Sequence, residues 1–294
     1  MIDLGADVAL NVDGQQAFQK QLFTNGDLEG TIYRFGGGAS IYFPAGSNKK
    51  IDLNDQRIFA KLGGMWENRA FVFNPNQGKK LTFGNDALHI VGGLGYVNHG
   101  DVKVNEDDNK VVELENELDF FSERLHLYDT KIYATAALGA GKMTGEIPGN
   151  YNSFRLTATA YQRILDRLSI AIGGGYQTED LGSNWTNKGI SGEINPQFGI
   201  FDGKATLGLA GTYRQLESIV NNKTSTSDHW GIKATFEAKP THWLKVGAHF
   251  GYEFPSKDSD GLGVYGGLGA TIALPTTKRH MHLARDNSGG KGGD

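Results

Sequence analysis

Residues 168–177 read LSIAIGGGYQ, residues 205–214 read ATLGLAGTYR and residues 230–238 read WGIKATFEA. In the first run, Leu168, Ile170, Ile172, Gly174 and Tyr176 share one parity, and Ser169, Ala171, Gly173, Gly175 and Gln177 the other. In the second, Ala205, Leu207, Leu209, Gly211 and Tyr213 oppose Thr206, Gly208, Ala210, Thr212 and Arg214. In the third, Trp230, Ile232, Ala234, Phe236 and Ala238 oppose Gly231, Lys233, Thr235 and Glu237. Successive side chains of a strand point to opposite faces, so each run is a strand with one apolar face and one small or charged face. Seven such runs follow one another between Tyr151 and Leu274. Their apolar faces must meet either a protein core or lipid.

The alternation extends toward the N-terminus. Residues 5–12 form an opening strand before the turn signal Asp13-Gly14. Residues 15–24 suit either a strand or a short amphipathic helix that caps or plugs a barrel. Tyr33, Phe35, Gly37, Ala39, Ile41 and Phe43 share a face, as do Ile58, Ala60, Leu62 and Gly64, and then Leu88, Ile90, Gly92, Leu94 and Tyr96. Residues 67–86 either add a hairpin across Asn74-Pro75-Asn76 or form an irregular excursion. Val112, Leu114, Leu118 and Phe120 alternate with Glu113, Glu115, Glu117 and Asp119, and a last strand spans 260–274 before Pro275. The expected count is 14 strands, or 16 if residues 67–86 form a hairpin; either even number leaves both termini on one rim. Tight turns are expected near 122–124, 164–167, 201–204 and 239–242, and wider polar loops near 98–109, 142–150, 179–188, 217–227 and 255–260. That alternation predicts a short-turn rim and a long-loop rim. Residues 1–275 form the predicted barrel, and residues 276–294 a flexible, polar, Gly-rich tail.

Composition narrows the function classes. The 294 residues include 42 Gly, 16 Phe, 11 Tyr and 7 Pro, which fits neither a collagen-like nor a generically disordered chain. A formal net charge of -4 gives no overall steering toward nucleic acid, so no nucleic-acid partner is expected. The absence of Cys excludes a disulfide scaffold, a thiolate nucleophile and a thiolate metal site. No apolar run is long enough for a transmembrane helix, which leaves a membrane β-barrel open. The opening MIDLGADVALNVDG lacks a basic stretch followed by an apolar core. Either the protein is not exported, or this sequence begins after a removed signal peptide.

Three features favour lipid behind the apolar face. Charges sit mid-strand on the opposite face: Arg34, Arg57, Lys131, Arg155, Arg163, Arg214, Lys233 and Lys245 against Glu113, Glu115, Glu117 and Glu237. Unpaired in a packed core, such groups cost several kcal/mol each, and a water-filled lumen removes that cost. Aromatic residues gather toward strand ends, at Tyr128, Tyr151, Tyr176, Tyr213, Trp230, Trp243 and Tyr252, as interfacial girdles would. The later strands are also long enough for a tilted span plus a rim. The fold class expected is all-β, an antiparallel transmembrane β-barrel.

The pattern over residues 5–274 resembles the bacterial outer-membrane β-barrel superfamily, particularly its monomeric or small-oligomer porins and channels of 12–16 strands. Members usually finish on an aromatic residue in the terminal strand; here Leu274 ends the strand and a polar tail follows. The resemblance implies a place in the bacterial outer membrane, contact with membrane lipid or lipopolysaccharide, and small hydrophilic solutes or ions as transported partners. A homo-oligomer is an option.

Chemical motifs add little. His89, His249 and His229 lie on polar-side parity, and no pair of histidines has zinc-ligand spacing; the flexible His280-Met281-His282 suits adventitious metal binding. His89 with a remote Ser, or His249 beside Tyr265 and Glu253, could be imagined in a lipid-processing role. There is no G-x-S-x-G context, and sequence cannot bring a His and a Ser into hydrogen-bond reach. No enzyme activity, cofactor or metal is therefore expected. Candidate lumen-lining residues are the mid-strand charges named above other than Glu237, together with His249. The acidic ladder Glu113, Glu115, Glu117 next to Lys131, Arg155 and Arg163 would separate acidic and basic sectors and orient dipolar solutes. Passive diffusion is the leading expectation. The alternatives are a sealed structural or adhesion barrel, a lipid-directed enzyme and a soluble periplasmic β-sandwich.

Overall fold

A sheet removes its own unpaired edges only by closing on itself. In the computed structural model, which describes residues 7–23, 26–44, 56–98, 130–165, 167–182, 184–201, 205–241, 244–254 and 263–274, twelve strands do so. They are β1 (Asp7–Phe23), β2 (Gly26–Pro44), β3 (Gln56–Pro75), β4 (Leu81–Asn98), β5 (Thr130–Gly145), β6 (Asn150–Leu165), β7 (Leu168–Leu181), β8 (Trp185–Ile200), β9 (Ala205–Val220), β10 (Lys223–Thr241), β11 (Leu244–Glu253) and β12 (Gly263–Leu274). Each pairs antiparallel with the next, and β1 closes on β12 from Leu10↔Leu274 to Gln21↔Gly263. Chain entry into β1 and exit from β12 share one rim, here called the terminus rim; the opposite one is the hairpin rim.

The count of 14 or 16 is corrected to 12. Asp13-Gly14 is not a turn: both residues continue β1, with Gly14 opposite Phe35 on one side and Ala270 on the other. Residues 15–23 are accordingly strand and not a helical plug. Residues 67–86 supply no extra hairpin, because Glu67 and Arg69 carry on the inward parity of β3 and the chain reverses only once between β3 and β4. The predicted strand at 112–120 and the tail 276–294 lie outside the described residues.

The rim assignment is corrected too. Segments read as wide loops near 142–150, 179–188 and 217–227 are mostly ladder, with pairs such as Lys188↔Glu217 and Asn152↔Asp180. Polar sequence there marks strands that have left the apolar zone. Along the described chain, β2 and β4 both end at the terminus rim, at Pro44 and Asn98. At the hairpin rim, β9 turns into β10 through Asn221 and Asn222, both at positive φ (48° and 64°), as a two-residue primed turn requires.

The outer surface decides the surroundings. Leu62, Leu88, Ile90 and Leu94 point outward and are 65%, 68%, 65% and 66% exposed, which no water-soluble barrel of one sheet would tolerate around its circumference. On β4 the outward apolar run from Leu88 to Tyr96 spans roughly 20–25 Å of membrane normal at a strand tilt of about 40°. Tyr176, Tyr213, Trp230 and Tyr252 bound this zone toward the hairpin rim, joined by Trp66 and Phe154; Phe154 stacks near Tyr176 at 6.5 Å and Tyr213 near Trp230 at 4.7 Å. Tyr151, expected in the girdle, instead points inward and is fully buried. Its odd parity on β6 is that of the interior. Tyr128 and Trp243 lie outside the described residues.

Inside, bulky side chains need missing ones beside them. A Cβ on Gly95 would sit 2.4 Å from the Phe59 ring and 2.7 Å from Tyr133 Cβ. Phe59, Gly95 and Tyr133 are directly opposed on β3, β4 and β5, so the glycine makes room for both rings. Gly95→Val is expected to cost about 1–3 kcal/mol, read as a lowered denaturant midpoint of the barrel in detergent or lipid. An unchanged midpoint would show that the rings have space to move.

Candidate functional site

Period-two alternation gives the closed barrel an inner face, and that face carries the charge. Glu67 on β3 gathers three basic side chains around it. Arg34 Nε on β2 donates to Glu67 Oε2 at 2.8 Å, Arg69 Nε lies 2.7 Å from Oε1 as an ion pair without hydrogen-bond alignment, and His89 Nε2 on β4 stands 3.5 Å from Oε1. Arg69 then reaches across: its Nη1 is 2.9 Å from Glu179 Oε1 on β7, while β4, β5 and β6 separate the two strands in the sheet. The Tyr151 hydroxyl donates to the same Glu179 oxygen at 3.1 Å, and the Arg69 guanidinium lies over the Tyr151 ring. Arg155 stands within electrostatic reach of Arg34, Arg69, Glu67 and Glu179. This is a chord of side chains through the interior.

A second set lines β8 to β11. Lys233 pairs with Glu193 at 2.7 Å, Lys245 with Glu237 at 3.4 Å and Arg214 with Glu253 at 2.9 Å. Toward the terminus rim on the other wall, the Lys61 and Lys131 ammonium groups lie 4.8–5.7 Å from the ring centroids of Phe59 and Tyr133. Phe59, Val97, Tyr133, Tyr161 and Ala171 pack together there, so this wall combines an apolar cluster with cationic heads.

Of the residues singled out from sequence, Arg34, Lys131, Arg155, Arg163, Arg214, Lys233, Lys245 and His249 have the inward parity of their strands. Arg57 lies in β3 opposite Pro44, and its side chain is outside the described set. Glu113, Glu115 and Glu117 also lie outside it, and with them the expected acidic sector. Sequence reasoning did not select Glu67, Arg69, Glu179 or Glu193. The signal was present for the first two, since the odd-numbered parity from Phe59 and Lys61 runs unbroken to Glu67 and Arg69. It was overridden because residues 67–86 read as either an extra hairpin or an irregular excursion, so the parity of β3 was not carried past Trp66.

A single closed antiparallel sheet, apolar outside and charged inside, is the architecture of the transmembrane β-barrels, and the fold is that of the bacterial outer-membrane barrels. Among solved structures it is similar to an outer membrane channel from Pseudomonas putida F1, at 10% identity over 93% of this chain and 97% of that one, with a TM-score of 0.57. It is also similar to the beta domain of the Bordetella autotransporter Brka, at 10% identity over 90% and 98%, with a TM-score of 0.52. At such identity the likeness establishes the fold. The expected location in the bacterial outer membrane agrees with these neighbours. No protein-family model and no curated protein matches the chain.

Proposed function

We propose that this barrel is an outer-membrane channel that passes small hydrophilic solutes or ions through a narrow, charge-lined interior, with membrane lipid or lipopolysaccharide around its belt. The observation that carries this reading is the wall of β8 to β11, where three Lys/Arg–carboxylate pairs face inward and Arg214 remains 38% exposed on the inner side. A barrel needed only as a scaffold fills its interior more cheaply with apolar side chains, since burying an ion pair costs more than burying its hydrophobic isostere. One of the structures sharing this fold is itself an outer membrane channel.

A sealed structural or adhesion barrel is the second reading, favoured by one observation: the Arg69–Glu179 chord spans the interior, and both ends are almost fully buried. Planar-bilayer recording separates the two. Stable conductance steps are expected for the channel; persistent closure of a correctly folded barrel would overturn it. Replacing Lys131, Arg155 and Arg163 together by Gln should move the reversal potential in a salt gradient toward cations, because it removes three inward positive charges. An unchanged reversal potential would show that these groups do not face the conducting path.

A further inference from the structure

Near the hairpin rim, two side chains that the channel reading leaves unused, Ser227 and His229, meet Glu253 of the paired wall inside the barrel. Ser227 and His229 are two apart on β10 and share the inward parity; Ser227 Oγ lies 3.0 Å from His229 Nε2. The Gly231↔Glu253 register of β10 and β11 brings Glu253 alongside, with its Oε2 3.9 Å from His229 Nδ1. Glu253 is itself held by Arg214 Nη2 at 2.9 Å, and Arg214 is the residue directly opposite His229 on β9. His229 is 4% exposed, and its Nδ1 is buried without a hydrogen bond, the Glu253 carboxylate facing it at ion-pair distance. Hydroxyl, imidazole and carboxylate thus stand in line.

We propose that Ser227, His229 and Glu253 form an acyl-ester hydrolase site that opens into the interior of the barrel. The chemistry follows from the order of the groups. A carboxylate facing Nδ1 favours the tautomer with the proton there, which leaves Nε2 to accept the hydrogen bond from the Ser227 hydroxyl. Ser227 Oγ attacks the ester carbonyl carbon, and its proton passes to Nε2. The carbon–alkoxy bond then breaks, and the alcohol leaves with the proton taken from Nε2. Water repeats the sequence on the acyl-serine: it gives a proton to His229, adds to the carbonyl and expels Ser227 Oγ, which recovers the proton as the carboxylic acid departs. No oxidant or metal is involved.

The 3.9 Å separation between His229 and Glu253 is an ion-pair distance, of the kind that shortens when imidazolium forms. The Arg214 guanidinium, reachable from the interior and opposite His229, is the donor available to the tetrahedral oxyanion. Substrate class follows from direction. Ser227 lies three residues beyond the outward Trp230 toward the hairpin rim and faces inward, so the site takes small water-soluble carboxylic esters that enter the barrel and not acyl chains embedded in the bilayer.

The test uses the full-length folded barrel in detergent, with p-nitrophenyl butyrate as substrate and a fluorophosphonate as serine probe. The wild type should hydrolyse the ester about 100-fold or more faster than Ser227→Ala or His229→Gln, each checked for the wild-type heat-modifiable gel shift. Glu253→Gln should retain a fraction of the rate, since a neutral amide still fills the position facing Nδ1. The probe should add its mass to the peptide carrying Ser227 in the wild type and lose that label in His229→Gln, a change that a purely structural His229 would not produce. Wild-type hydrolysis no faster than Ser227→Ala, or labelling spread over other serines, overturns the proposal. Either outcome leaves the conductance result untouched, so the two readings fail separately.

Discussion

Arg69→Met should destabilise the barrel by about 3–5 kcal/mol, the largest effect expected of any single interior substitution. Arg69 pairs with both Glu67 and Glu179, at 2.7 and 2.9 Å, and all three side chains are nearly or fully buried. Its removal leaves two carboxylates in a low-dielectric space. Glu67 keeps Arg34 at 2.8 Å, and Glu179 keeps the Tyr151 hydroxyl and the electrostatic attraction of Arg155. On the β7 side the deficit falls on Glu179, which loses its ion pair across the interior. Adding Glu179→Leu should restore about 1–3 kcal/mol, because it deletes the stranded charge and offers an apolar side chain beside Tyr151 and on the face of β7 that also carries Leu181. Denaturant midpoints of the single and double variants in lipid vesicles give the cycle. If Arg69→Met shifts stability by less than about 1 kcal/mol, the chord is hydrated and the interior at this level is open to water. In the channel reading the double variant should also conduct more, since the cross-barrel connection is gone.

How much of this was legible in the sequence depends on the range of the physics involved. The direction of nearly every strand residue followed from parity alone, because the lipid and interior environments repeat every two residues: Leu88, Ile90 and Leu94 out, Lys131, Lys233 and Lys245 in. Strand boundaries followed less well, because Asp13-Gly14 has the composition of a turn yet has partners on both sides in the closed sheet. Polar stretches such as 217–227 looked like loops because polarity was taken to mean the end of a strand. Here strands continue into water past the aromatic boundary, and the ladder and not the side chains holds them. The interior pairs were out of reach. Arg69 meets Glu179 only because closure brings β3 and β7 to face each other, and Glu253 reaches His229 only because of the β10–β11 register. Ser227 and His229 were two letters apart throughout, but a shared parity is not a hydrogen bond until a fold sets the rotamers.

The belt itself makes the other large prediction. Ala158 points outward on β6 at mid-belt, opposite Gly174 of β7 and Ala134 of β5, while Asn152, six residues closer to the hairpin rim, points outward beyond Phe154. Ala158→Arg should cost about 2–4 kcal/mol in a bilayer, and Asn152→Arg about 0–1 kcal/mol, with Leu156→Arg between them. Because the three positions share one strand and one face, ladder pairing and strand propensity largely cancel, and depth in the membrane is the variable that remains. Equilibrium unfolding in vesicles measures the profile. A barrel whose outer face met water would give nearly equal, near-zero values at all three, since a guanidinium on a solvated surface pays no desolvation. A steep profile whose maximum lay at Asn152 would instead move the belt toward the hairpin rim and detach it from the aromatic boundary at Phe154 and Tyr176. The expected maximum at Ala158 ties three independent features to one height: the outward apolar run, the aromatic residues that bound it, and the point beyond which outward positions become Asn152, Asp180 and Lys188.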